Sequence, residues 1–97
     1  MLKDNNNNNI FFKIINGEVS CDKVLETEHC LAFEDINPRA KVHVLLIPKK
    51  PYVNLNDFIL YADKSEKTDL FEGIGKVVDI KNLRQEGYRL LTNIGEN

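Results

Sequence analysis

The segment KVHVLLIP, at Lys41–Pro48, constrains the fold more than any other part of the chain. Its β-branched and aliphatic residues favour a strand, and the proline at its end stops further ladder pairing. A continuous apolar run of this kind is typical of a strand that is buried on both faces. A two-residue period divides its side chains into two sets, one with His43, Leu45 and Ile47 and the other with Val42, Val44 and Leu46.

Two shorter strand candidates precede this segment, KVLETE at Lys23–Glu28 and CLAFED at Cys30–Asp35. They nearly abut, so a tight hairpin is the natural connection, with His29 as a solvated turn residue. YRLLTN, which begins at Tyr88 after a glycine, is predicted to form the last strand.

Three segments carry helix signals. IFFKIING places Phe11, Ile14 and Ile15 at helical spacing, a short helix is predicted at Asn56–Ala62, and a longer one at about Glu66 to Arg84. Ser65 is the expected cap of the longer helix. Its apolar stripe, which we interpret as core, consists of Leu70, Phe71, Ile74, Val77, Val78 and Leu83. Gly73 and Gly75 interrupt the same helix, and close packing against a sheet or against a second subunit would each explain them.

The order of these elements predicts one α+β domain, an antiparallel sheet with a short N-terminal helix and one long helix packed on it. The 97 residues suffice for one domain with a thin core. Residues 1–9, with asparagine at positions 5–9, are predicted to be a disordered tail, so the domain spans residues 10–97.

Composition excludes several functions. The net charge of −2 argues against a large nucleic-acid interface, and no apolar run is long enough to span a membrane. Cys21 and Cys30 do not form a Cys-x-x-Cys motif, which leaves a zinc ribbon unsupported. Without a signal-peptide pattern, the sequence predicts a soluble, cytoplasmic protein.

Candidate site residues are individually ambiguous. His43 lies in an apolar strand, where a core histidine is more common than a catalytic one. Asp35 ends a strand, where it can accept hydrogen bonds from sugar hydroxyls or cap the next turn. Asn93, before a glycine, also fits a turn. Lys49 and Lys50 can attract a phosphate or simply be solvated.

Taken together, these residues resemble a known family. The segment from FFKII at Phe11 through LAFEDI at Leu31–Ile36 to the spaced residues Pro38, Ala40, His43, Leu45, Ile47, Pro48 and Lys49 is similar to the N-terminal half of the histidine triad (HIT) family, in its Hint branch. GYRLLTNIGE at Gly87–Glu96 resembles the strand that follows in that family.

The resemblance implies a purine nucleoside monophosphate, or a derivative of one, as ligand. It implies an apolar slot for the base, a ribose contact from Asp35, and a phosphate contact from Asn93. The slot would consist of Phe11, Ile14, Phe33, Ile36 and Leu45. It also implies a homodimer to which the long helix contributes, with no other cofactor. The family's zinc ligands, where present, would correspond to Asn9 and Phe12, so we expect no metal.

In the family, the middle histidine of a His-x-His-x-His segment attacks the α-phosphorus, and water then hydrolyses the nucleotidyl-histidine. The sequence contains two histidines, so the nucleophile is not among its residues, and His43 would be an accessory fourth histidine. We therefore expect a HIT-like domain that lacks its last strand, as a fragment or as a truncated gene product. Three functions remain open: a nucleoside phosphoramidate or nucleotidyl hydrolase in the intact form, a non-catalytic nucleotide-binding module, and a homodimeric interaction module.

Overall fold

The computed structural model describes residues 10–18 and 20–94, without the side chains of residues 10–12. The elements, in chain order, are α1 (Ile10–Ile15), β1 (Lys23–Glu26), β2 (Cys30–Glu34), β3 (Val44–Pro48), α2 (Leu55–Tyr61) and α3 (Lys64–Ile80). This arrangement confirms the predicted α+β class. The predicted Asn-rich tail of residues 1–9 lies outside the described residues.

The three strands form one antiparallel sheet in the order β1-β2-β3. The β2–β3 ladder is regular, with Phe33 opposite Leu45 and Ala32 opposite Leu46. The β1–β2 ladder shifts register between Lys23 and Leu25. Because residues that lie opposite each other share a face, Phe33 and Leu45 are on one side of the sheet and Ala32 and Leu46 are on the other.

Helix α3 covers one face of the sheet and contacts all three strands. Gly73 lies directly over β3, since a Cβ atom built on it would be 3.7 Å from Cδ2 of Leu46. The core of the described part is small and contains Cys30, Leu31, Ala32, Phe33, Phe58, Ala62, Val77 and Val78. Close packing against the sheet therefore explains Gly73, whereas a Cβ atom at Gly75 would have no neighbour within 4 Å.

Asp69 of α3 fixes the β1–β2 turn to the helix. One of its carboxylate oxygens, Oδ2, accepts a hydrogen bond from the Thr27 hydroxyl at 2.5 Å and another from the His29 backbone N–H at 2.9 Å. The Thr27 hydroxyl oxygen in turn accepts from the Cys30 N–H at 3.0 Å. These bonds, that of Thr27 foremost, lower the pKa of Asp69. His29 is consequently half-buried, so its prediction as a solvated turn residue was wrong.

A second carboxylate, that of Glu66, fixes the start of α3. It is almost fully buried and accepts from the Tyr52 hydroxyl at 2.7 Å and from the Asp63 N–H at 3.2 Å. Asp63 accepts in return from the Glu66 N–H, which completes a capping box. The helix therefore begins at Lys64 with Asp63 as its cap, and the expectation of Ser65 was wrong. A capping box binds two backbone donors and outcompetes a single serine.

Helix α3 also ends earlier than predicted, at Ile80, because Asn82 adopts a left-handed conformation with φ of 58°. The apolar stripe of this helix, which was predicted to lie in the core, was partly wrong. Val77 and Val78 are buried, but Phe71 is 69% exposed.

The predicted last strand was wrong for the part of the chain that the structure describes. Residues 88–94 form no strand, and Tyr88, Leu90 and Leu91 are exposed. Strand propensity reflects packing against neighbouring strands, and the described sheet offers this segment no ladder partner.

We expect Asp69→Asn to lower the free energy of unfolding at pH 7 by about 1–3 kcal/mol, because two donors lose a charged acceptor. Since folding lowers the pKa of Asp69 below 3.8, its contribution is present above that pH and is lost as the pH falls through the folded pKa. The difference in the free energy of unfolding between wild type and Asp69→Asn should therefore become smaller as the pH is lowered. Urea denaturation between pH 7 and pH 2.5 measures it. The control is Glu72→Gln, because Glu72 is exposed on the same helix. If Asp69→Asn lowers the free energy of unfolding no more than Glu72→Gln does, the Asp69 carboxylate does not stabilise the attachment of the β1–β2 turn to α3.

The two helix glycines give a second prediction. Gly75→Ala should raise the free energy of unfolding by about 0.5–1 kcal/mol, since alanine is the better helix former and its methyl group meets open space. Gly73→Leu should lower it by about 1–3 kcal/mol, because the larger side chain overpacks against Leu46. Urea denaturation of both variants is the measurement. A destabilising Gly75→Ala would show that a second molecule covers this position.

Candidate functional site

The loop between β2 and β3, residues 35–43, brings two of the predicted polar site residues together, Asp35 and His43. Its two ends are joined by a backbone hydrogen bond from the Asp35 N–H to the His43 carbonyl, at 3.0 Å. The loop residues between them, from Ile36 to Lys41, are exposed. The ladder thus stops at Val44, and the predicted start of this strand at Lys41 was three residues too early.

The Asp35 carboxylate has a partner on each oxygen. Oδ1 accepts from the Asn37 backbone N–H at 2.9 Å, which is an Asx-type turn. Oδ2 lies 3.3 Å from Nε2 of His43. The capping role that the sequence left open for Asp35 is therefore present. The side chain nevertheless remains 21% exposed, so a ligand can reach it.

The backbone fixes the orientation of the His43 ring. Its Nδ1 accepts a hydrogen bond from the Arg39 N–H at 3.0 Å. A neutral imidazole that accepts at Nδ1 carries its proton at Nε2. Nε2 lies 3.3 Å from Oδ2 of Asp35, so the ring is held against the carboxylate.

Only part of the predicted apolar slot lies next to the loop of residues 35–43. Phe33 and Leu45 lie opposite each other on β2 and β3, next to the loop, with Phe33 buried and Leu45 half-buried. Ile36 is 85% exposed in the loop, and Ile14 is half-buried in α1. Phe11 lies in α1, but its side chain is outside the described part of the chain. Asn93, predicted to face the phosphate, lies in the exposed segment 88–94.

The two lysines considered for phosphate binding have carboxylate partners. Lys49 lies 2.8 Å from Glu26, which also binds Lys23 at 2.6 Å. Hydrogen bonds from Lys23 and then Lys49 lower the pKa of Glu26 to about 2. Lys50 lies 3.5 Å from the buried Glu66. Lys49 is therefore not simply solvated, whereas Lys50 remains largely exposed, and a phosphate would compete with these carboxylates.

A shallow depression of about 360 Å³ occurs elsewhere, at the start of α3, lined by Glu28, His29, Lys64, Ser65, Thr68, Asp69 and Glu72. It is separated from Asp35 by the length of β2, roughly 20 Å at about 3.3 Å per residue. It does not join the candidate site. Within residues 13–18 and 20–94, no group of three or more His, Cys, Asp or Glu residues is placed to hold a metal ion.

The backbone donors of Asn37 and Arg39 are the parts of the site that sequence reasoning missed. The Asp-x-Asn spacing of DIN was an available signal for the turn at Asp35. No local pattern indicated the bond from Arg39 to the His43 ring, because it depends on how the loop closes.

With this geometry established, comparison with known proteins identifies the class. The family model described as "HIT domain" matches residues 16–97. The chain therefore belongs to the HIT domain family.

Individual relatives agree. The chain is 47% identical over all 97 of its residues to an uncharacterised 13.2 kDa HIT-like protein of Azospirillum brasilense, and it covers 80% of that protein. A HIT family hydrolase from Clostridium thermocellum matches 91% of this chain and 76% of its own, with 36% identity and a TM-score of 0.77. A histidine triad nucleotide-binding protein from Candida albicans matches 84% of this chain and 54% of its own, with 31% identity and a TM-score of 0.69.

In the ranges that the structure describes, no helix has the length and apolar character required to cross a bilayer.

Proposed function

We propose that this protein binds a purine nucleoside monophosphate or a derivative of it, as a member of the Hint branch of the HIT family. The observation that carries the proposal is the Asp35 carboxylate, held at the end of β2 by Asn37 and His43 and still open to solvent. It lies beside the apolar pair of Phe33 and Leu45. A carboxylate next to an apolar surface suits a ribose attached to a flat base.

The remaining contacts follow the family resemblance. The base would lie against Phe11, Ile14, Phe33, Ile36 and Leu45, and Asn93 would face the phosphate. Because Phe33 has little exposed surface, the base would contact its edge or require a small movement of the loop. The names of the Clostridium and Candida relatives, a hydrolase and a nucleotide-binding protein, support this assignment at the level of the class.

For catalysis, we propose nucleotidyl transfer to histidine in an intact form that carries the His-x-His-x-His segment, with release of an amine, an alcohol or a phosphate and hydrolysis by water. His43 would assist and would not be the nucleophile. The 97 residues themselves then act as a binding module. The intact mass of the natural protein, together with the reading frame after Asn97, distinguishes the two forms.

We also propose that the protein is a cytoplasmic homodimer. Several large apolar side chains of α2 and α3 are exposed, among them Leu60, Tyr61 and Phe71. Apolar side chains concentrated on adjacent helices are typical of a protein interface. Gly75, with open space around it, lies on the same long helix.

The ribose contact is tested with Asp35→Ala. We expect AMP binding to weaken by about 1–3 kcal/mol, because the ribose hydroxyls lose their charged acceptor. Isothermal titration calorimetry measures the affinity. Asp22→Asn is the control, since Asp22 is exposed and its carbonyl accepts from the Glu34 N–H, next to the site. Equal affinity in wild type and Asp35→Ala would rule out the ribose assignment.

The dimer is tested by sedimentation velocity across a range of concentrations. We expect Phe71→Glu to shift the protein towards monomer by at least tenfold in the dissociation constant, since about 1.4 kcal/mol of lost apolar burial suffices. Glu72→Gln, at the next position of the helix, should leave the dimer unchanged. If the wild-type chain stays monomeric at all concentrations, the proposed homodimer is ruled out.

A further inference from the structure

We propose that His43 is the positioning residue for the ribose-binding carboxylate of Asp35, an inference that rests on the nucleotide site proposed above. The family resemblance places this histidine beside the catalytic triad. The structure gives it a different partner, because its Nε2 lies 3.3 Å from Oδ2 of Asp35.

Two hydrogen bonds and one close contact orient the carboxylate, and all arise within the loop of residues 35–43. The Arg39 N–H fixes the His43 ring at Nδ1, His43 Nε2 approaches one Asp35 oxygen, and the Asn37 N–H donates to the other. The backbone bond from Asp35 to the His43 carbonyl holds the two residues in register. A carboxylate held at both oxygens has one defined orientation.

This arrangement leaves the acceptor capacity that a ribose requires. An ionised carboxylate has about four lone-pair sites; Asn37 uses one on Oδ1, and the His43 ring approaches Oδ2. At least one site remains on each oxygen, and a ribose offers two neighbouring hydroxyl donors. The 21% exposure of the Asp35 side chain makes the remaining sites accessible.

Within the described residues, no lysine or arginine forms an ion pair with Asp35. Lys81 pairs with the neighbouring Glu34 at the end of β2. Arg39 contacts His43 through its backbone N–H. The orientation of Asp35 therefore depends on His43 and on the turn at Asn37.

The test compares His43→Leu with His43→Gln, since the glutamine side chain places an N–H donor near the former Nε2 position. Calorimetry measures the affinity of each protein for AMP and for 2′,3′-dideoxy-AMP, which lacks both ribose hydroxyls. We expect His43→Leu to weaken AMP binding by about tenfold, and His43→Gln to restore most of it. Binding of the dideoxy analogue should change by less than about twofold in either variant, because it makes no hydroxyl contact.

A second readout needs no nucleotide. In ¹⁵N NMR of the unliganded chain, His43 should be in the Nε2–H tautomer, because its Nδ1 accepts from the Arg39 N–H. Circular dichroism and thermal unfolding verify that both His43 variants fold.

The outcomes of these experiments decide whether His43 positions the Asp35 carboxylate. If His43→Leu weakens AMP and the dideoxy analogue equally, or if the Nδ1–H tautomer is found, the positioning role is overturned while the nucleotide site stands. If the wild-type chain binds neither ligand, the proposed function fails and this inference fails with it.

Discussion

The hydrogen bonds that Asp69 accepts from the β1–β2 turn are the constraint on which the rest of the domain depends. In the part of the chain that the structure describes, the sheet has three strands and the core is small, so apolar burial alone gives a thin margin of stability. Asp69 joins elements about 40 residues apart in sequence and satisfies the His29 N–H, which the turn leaves without a ladder partner. Glu66, one helical turn earlier, ties Tyr52 of the β3–α2 connection to the same helix. Glu66 lies in the first turn of α3, where the helix dipole favours negative charge.

This anchoring also determines where the candidate site lies. Helix α3 is attached to one end of β2 through Asp69 and to the other end through the ion pair of Lys81 with Glu34. From Asp69 to Lys81 the helix rises roughly 18 Å at about 1.5 Å per residue, and β2 with its flanking residues extends over a similar distance. The helix therefore holds β2 along its whole length. The loop that begins at Asp35 emerges from a strand end that is already fixed.

Most of the strands and helices could be predicted from the sequence because they follow from local residue patterns, as in KVHVLLIP at Lys41–Pro48. The pairing of Asp35 with His43 was not predictable, although both residues were identified, because it depends on the loop closing over Arg39. Asp69 was missed for the same reason: a carboxylate in a helix looks solvated until the turn that contacts it is known. The error at residues 88–93 differs in kind. Their composition was taken to indicate a strand, but a strand forms only against a partner.

The two halves of the proposed site consequently differ in how far they are organised before a ligand arrives. The ribose half is built by contacts within nine residues and attached to a fixed strand, so it needs little rearrangement. The phosphate half would rely on Asn93, in an exposed segment without ladder bonds, and on lysines already paired with Glu26 and Glu66. Ordering that segment and separating those pairs would both oppose binding. The affinity of these residues for a nucleotide should therefore come mainly from the base and the ribose, and the phosphate should add little until residues 88–94 gain a partner.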